Sequence, residues 1–173
     1  MAAKYSIRVK RPIRIEGDVA YIPLTKGYTA TIDAADVHRL GEWNWCAMVV
    51  RNTVYAIRTD HAEKQRKILL HRVIIGEHID TCIDHINGDG LDNRLSNLRL
   101  ATASQNQCNA RTPSNNTSGF KGVAWNKKSS KWVAQIVLNS KKHHLGCHAT
   151  AEAAHAAYRE ASARMHGEFG RTA

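Results

Sequence analysis

Between Cys82 and Asn109 the chain reads C-I-D-H-I-N-G-D-G-L-D-N-R-L-S-N-L-R-L-A-T-A-S-Q-N-Q-C-N. This stretch gathers Asp84, His85, Asn87, Asp89, Asp92, Asn93, Asn97 and Asn106 around Gly88 and Gly90. Three readings compete for such a set: a calcium loop, a polar surface turn, and the active site of an enzyme. An EF-hand loop with its glycine at Gly90 puts His85 at the first ligand position and Ser96 at the last. Both positions need acidic side chains, the last one bidentate, so only Asn87 and Asp89 fall correctly. A turn accounts for Asn87-Gly88-Asp89-Gly90, because Asn, Asp and Gly tolerate left-handed backbone. It leaves unexplained the pair Asp84-His85 closing an apolar stretch, Asn97 at the return and Asn106 beyond it. The constellation points instead to an enzyme's active site, where a histidine with pKa about 6.5 can serve as a base near neutral pH.

The elements that must position these residues are short. Strand-like runs at 5–9, 19–24 and 28–32 are separated by Gly17-Asp18 and Lys26-Gly27. A short helix follows, with Asp33 as N-cap and Leu40 near its end before Gly41. Residues 43–50 and 54–58 read as a hairpin around Arg51-Asn52-Thr53. The run I-L-L-H-R-V-I-I at 68–75 fits a buried strand or a short helix, since an unbroken apolar run does not settle its own period. After the polar stretch, 111–119 has no apolar residue to bury and predicts a flexible joint. Three more strand-like runs follow at 120–126, 131–138 and 142–147. In the second, Trp132, Ala134, Ile136 and Leu138 alternate with Lys131, Val133, Gln135 and Val137. A helix capped by Thr150, with Glu152 in its first turn, carries Ala153, Ala154, Ala157, Tyr158, Ala161 and Met165 on one stripe and ends at Gly167.

The 173 residues suffice for one medium domain or two small ones, and the net charge of +10 favours a polyanionic partner. Residues 1–110 carry 15 basic and 12 acidic side chains and residues 111–173 carry 10 and 3, so the C-terminal third is the stronger electrostatic candidate. Cys46, Cys82, Cys108 and Cys147 stand far apart with no C-x-x-C pair, which reads as buried free thiols rather than zinc ligands. No apolar run reaches the length of a membrane span, and the first residues lack a signal-peptide core. A soluble, cytoplasmic protein is expected, with no membrane and no small-molecule cofactor.

Asp84-His85, then I-N-G-D-G-L-D-N-R-L-S-N-L-R, then A-T-A-S-Q-N-Q-C-N resembles the HNH nuclease motif, in the branch found in phage and intron-encoded nicking endonucleases. The resemblance spans about 68–112. It implies a ββα-metal fold: two antiparallel strands joined by a long loop, then a helix. It also implies His85 as general base, Asp84 and Asn106 holding one divalent ion, and Asn97 bracing the loop. Asn106 stands where the family's name-giving pattern has its second His. Two oxygen ligands suit Mg²⁺ or Mn²⁺ better than Zn²⁺. Asn109, one helical turn later, competes with Asn106 as ligand. His71 has a family counterpart and either contacts phosphate or packs, while Arg72 and Arg99 are phosphate clamps or solvated surface.

The stretch holding G-V-A-W, K-W-V-A-Q-I, H-L-G and T-A-E-A-A-H-A-A-Y resembles the plant ethylene-response-factor (APETALA-type) DNA-binding domain over about 117–170. Phage HNH nucleases often carry such a domain. The resemblance implies an open sheet face in the major groove and a helix packed behind it. By alternation Lys121, Asn126, Gln135, Lys142 and His144 would face double-stranded DNA, with Lys127 beside them. Trp132, Ile136, Leu145 and Tyr158 would form the core, and Trp125 fits either. Ala124 and Val137 fall where the plant domains place arginines. A cationic face for some other partner is the competing account of this unit.

The expectation is an α+β protein: a strand-rich region at 1–67, an HNH module at 68–111, a linker at 112–118 and an APETALA-type domain at 119–170. The resemblance implies a monomeric homing-type DNA endonuclease that nicks with one divalent cation, leaving 5′-phosphate and 3′-hydroxyl ends. If phage-encoded, it would act in the host cytoplasm. The alternative is a DNA-binding regulator with an inactive nuclease site.

Overall fold

The computed structural model describes residues 9–51, 53–60, 65–76 and 81–172, which group into two units, Met1–Arg99 and Leu100–Ala173. The strand predicted at 5–9 lies outside the described residues except for Val9, as does Asn52 of the predicted hairpin turn. The fold is mixed α and β, with several small antiparallel sheets and few helices.

In the first unit Gly17, at φ 57°, turns the chain from β1 (Arg14–Glu16) into β2 (Val19–Pro23), which pairs with β3 (Thr29–Asp33). The register sets Ala20 against Ile32 and Ile22 against Ala30, and all four are buried. Each fully buried isoleucine contributes roughly 2 kcal/mol of transfer free energy to this core. A one-turn 3₁₀ helix (Ala34–Asp36) leads into α1 (Val37–Leu40). Asp33 precedes that turn as expected but makes no side-chain cap; its carboxylate is used elsewhere, as described below.

A second sheet pairs β4 (Cys46–Val50), β5 (Thr53–Asp60) and β6 (Arg66–Leu69). The predicted strand from Trp43 starts three residues late because Trp45 turns fully into the core, where its indole N–H donates to the Leu40 carbonyl at 3.0 Å. The ambiguous run at 68–75 divides. Pairing of β6 with β5 ends at Leu69 opposite Ile57, and α2 (Leu70–Ile75) begins at once, burying Leu70 and Ile74 one turn apart. β7 (Cys82–His85) pairs with β8 (Leu98–Ala101).

In the second unit α3 (Ala103–Cys108) starts on a capping box: the Thr102 hydroxyl accepts from Gln105 N, and the Gln105 side chain accepts from Thr102 N. The residues predicted as a flexible joint instead build a turn network. Asn116 N donates to the Pro113 carbonyl, Asn116 Nδ2 to Phe120 O, and the Ser118 hydroxyl to Val123 O. β9 (Val123–Asn126), β10 (Lys131–Leu138) and β11 (Lys141–His148) form an antiparallel sheet against α4 (Ala151–His166). Thr150 caps α4 by accepting from Ala153 N. Ala154, Tyr158 and Ala161 are buried beneath the sheet, Tyr158 and Ala161 against Ile136. Only glycine fits at Gly122: its φ is 73°, and a Cβ there would sit 2.1 Å from the Tyr158 ring.

Candidate active site

β7 ends on Asp84 and His85, which are 4% and 6% exposed. Their neighbours differ. Asp84 Oδ2 receives Nε and Nη2 of Arg99 at 2.9 and 2.8 Å, whereas the His85 Nε2 lies 3.4 Å from Asn93 Oδ1. Asn93 is fully buried and donates Nδ2 to the Leu91 carbonyl at 2.9 Å, which turns its oxygen toward the histidine. The matching tautomer carries hydrogen on Nε2 and leaves the basic lone pair on Nδ1.

The loop between the strands is fastened at both ends. Asn97 Oδ1 accepts from Asn87 N at 3.0 Å, and its Nδ2 donates to Asn87 Oδ1 and to the Asp92 carbonyl at 3.0 and 2.8 Å. Ile86 N donates to Asn97 O, closing the start of the loop on its end. Asp92 accepts from Asn87 Nδ2 and pairs with Arg94 at 2.7 Å, and that guanidinium holds its carboxyl below the usual range. Asn87 and Asp89 supply turn bonds, Asp89 N donating to Asn87 Oδ1 and Leu91 N to Asp89 Oδ1.

The N-terminal strands act as the platform for this loop. Thr31 N on β3 donates to Leu91 O at 2.8 Å, Asn93 N donates to Thr31 O at 2.7 Å, and Leu95 N donates to Asp33 Oδ2 at 2.7 Å. That last bond occupies the carboxylate expected to cap the following helix. Gly90 presses on β5: a Cβ there would lie 2.5 Å from the Val54 carbonyl and 2.8 Å from the Tyr55 ring.

Behind the histidine lies an aromatic wall. His71, on the buried face of α2, meets the His85 ring edge-on with centroids 5.1 Å apart, and Tyr55 meets both at 5.8 and 6.0 Å. Burial, then the neighbouring His85 and Arg72, push His71 down to about 3. Burial likewise lowers His85, against opposing pulls from Asn93 and the nearby aspartates, so its imidazole is neutral at pH 7. Burial raises Tyr55, with Asp84 adding to the shift. Arg72, the next predicted phosphate clamp, reaches the Thr81 carbonyl at 3.4 Å.

The first unit thus brings together Asp84, His85, Asn97, His71 and Arg99. Tyr55 and Asn93 belong to the same site and were not assigned from sequence. Asn93 stood in the polar stretch with nothing to separate it from its turn-forming neighbours, and Tyr55 sat in a hairpin with no sequence link to the motif. Asn106 is exposed on α3, and Asn109 is buried at the C-cap of that helix; both belong to the second unit. Among the described residues no three His, Cys, Asp or Glu side chains cluster to hold a metal. The donors on offer are a carboxylate and amide oxygens. Such a set fits a hard cation that keeps much of its water, Mg²⁺ or Mn²⁺, and not a zinc cage.

In the second unit the β-ladder sets Gln135 opposite His144, Lys131 opposite Asn126 and Val137 opposite Lys142. Strand alternation puts these six side chains on one face and Trp132, Ala134 and Val123 on the other. The register shifts after Ala134, where Gly146 adopts φ 115° and donates its N–H to His144 Nδ1. Asn126 Oδ1 accepts from Lys128 N and Ser129 N, so this side chain also shapes the turn holding exposed Lys127. Lys121 differs from the alternation reading: its ammonium donates to the carbonyls of Cys108 and Ala110, closing the end of α3. Burial lowers it to about 8. Trp125 is 44% exposed and meets Trp132 edge-on at 5.1 Å. No described helix is long and apolar enough to cross a membrane.

Residues 69–108 match the family model described as HNH endonuclease. The chain is 38% identical to Protein 3.8 of Escherichia phage T7 over 89 residues, covering 51% of this chain and 73% of that protein. It is 32% identical over 117 residues to an uncharacterized HNH endonuclease, L560, of Acanthamoeba polyphaga mimivirus, covering 66% of this chain and 60% of that one. No solved structure gives a significant match.

Proposed function

This chain belongs to the same family as Protein 3.8 of Escherichia phage T7 and carries an HNH endonuclease domain, and from that premise we propose that it is a metal-dependent, homing-type DNA endonuclease that nicks one strand. The observation that carries the proposal is His85, buried, neutral at pH 7 and directed by Asn93, beside the Asp84 carboxylate at the mouth of a braced loop. In this reading His85 takes a proton from the attacking water at Nδ1, while Asn93 and the wall of His71 and Tyr55 hold the ring at its angle. Asn97 keeps the loop closed and so keeps the histidine at the strand end. Asp84 would hold one Mg²⁺ or Mn²⁺ through its carboxylate. The ion, when bound, supplies positive charge to the phosphate and to the leaving oxygen. Water attacks the phosphorus in line with the P–O3′ bond, which breaks on the opposite side, and the leaving oxygen takes up a proton, giving a 5′-phosphate and a 3′-hydroxyl.

The open face of the second unit, with Gln135, His144, Lys142, Asn126 and Lys131, reads the duplex in the manner of an APETALA-type domain. Its amide and basic groups address base edges and phosphates. The protein works as a monomer in the cytoplasm, and its single site cuts one strand per binding event. A supercoiled-plasmid assay with Mg²⁺ or Mn²⁺, run with and without EDTA, tests this. Relaxation that EDTA abolishes is expected. DNA retention without metal-dependent relaxation would instead favour a binding-only regulator.

A further inference from the structure

We propose that Arg99 makes metal loading and DNA binding cooperative: its guanidinium neutralises the Asp84 carboxylate in the DNA-free protein and passes to a backbone phosphate when DNA and a divalent cation arrive together. The proposal rests on the reading of Asp84 as a metal ligand. Arg99 directs two donors, Nε and Nη2, at one oxygen, Asp84 Oδ2, at 2.9 and 2.8 Å. The two side chains are 13% and 5% exposed, so neither charge is compensated by bulk water.

A divalent cation placed on Asp84 would meet that guanidinium at its own ligand. Two cations on one buried carboxylate repel, so Arg99 must leave for the ion to bind well. A guanidinium leaving a carboxylate needs another anion, and the two non-bridging oxygens of a phosphodiester can accept its forked donors. The other guanidinium of the loop, Arg94, is held by Asp92 at 2.7 Å and does not contact Asp84 Oδ2 in the way Arg99 does. DNA therefore raises the affinity for the ion, and by linkage the ion raises the affinity for DNA by the same factor.

Mn²⁺ binding, read by electron paramagnetic resonance on the full chain with and without a short duplex, tests the exchange. His85→Ala is included in every protein to prevent cleavage. In the parent, duplex is expected to tighten Mn²⁺ binding by about tenfold, within the usual range of site–site coupling. Arg99→Met is expected to bind Mn²⁺ about tenfold more tightly without DNA and to gain less than about twofold from it. Parent-like Mn²⁺ affinity and parent-like gain in Arg99→Met would overturn the exchange while leaving the metal site standing. Mn²⁺ binding unchanged by Asp84→Asn would overturn the metal reading of Asp84 and the exchange with it. If circular dichroism shows that Arg99→Met does not fold, Arg99→Gln replaces it with the same two outcomes.

Discussion

Acidification should destabilise the first unit, and His71 is the contributor whose share can be worked out. His71 is 7% exposed, packed between Tyr55 and His85, and held down to about 3, against an ordinary value of 6.5. Above pH 6.5 the ring is neutral in both folded and unfolded chains, and its full contribution to stability is present. Below 6.5 the unfolded chain takes up a proton that the folded chain refuses until about pH 3, so stability is lost as pH falls through that window. Each pH unit costs about 1.4 kcal/mol, so moving from pH 7.5 to 5.0 removes about 2 kcal/mol. Urea unfolding at the two pH values measures this. A Trp125→Phe/Trp132→Phe background leaves Trp43 and the fully buried Trp45 as reporters of the first unit. His71→Gln has no proton to bind there, so its pH dependence should be smaller than the parent's by about 2 kcal/mol. Equal pH dependence in the two proteins, within about 0.5 kcal/mol, would refute the reasoning.

Gly90→Ala forces a methyl against the Val54 carbonyl and the Tyr55 ring and should cost about 1–3 kcal/mol, seen as a lowered Tm, with slower cleavage as the loop shifts. Gly122→Ala adds strain at φ 73° to a clash with Tyr158 and should destabilise the second unit by about 2 kcal/mol or more, with weaker duplex binding in a mobility-shift titration. Because burial holds the His85 pKa below its ordinary value, cleavage should rise with pH and level off with a midpoint under about 6.5. A midpoint at or above that value in a single-turnover pH profile would contradict the neutral, buried base.

Where a local rule decides the outcome, the sequence is a good guide. Thr150 and Gly167 bound α4 as the capping pattern indicates, and residues 131–138 form β10 because alternation, β-branching and flanking turns agree. Of the candidate site, residue types and spacing made legible the placement of Asp84, His85 and Asn97 within one strand–loop–strand unit. What could not be read depends on distant partners. Asp33 looked like a helix cap, but Leu95 N, far along the chain, claims its carboxylate. The apolar run at 68–75 changes from strand to helix where its pairing with β5 stops, a tertiary event with no local mark. Tyr55 reaches the histidines only because β5 passes beneath the loop at Gly90. Lys121 alternates like a DNA-facing residue, yet the open carbonyls at the end of α3 take its ammonium.

The central claim is that His85 removes a proton during phosphodiester cleavage. Single-turnover nicking of a bound duplex by His85→Ala, with the dissociation constant for that duplex measured alongside, tests it most directly. The account predicts cleavage slower by about a hundredfold or more, with DNA affinity within about threefold of the parent. Parent-like nicking by the variant would contradict it.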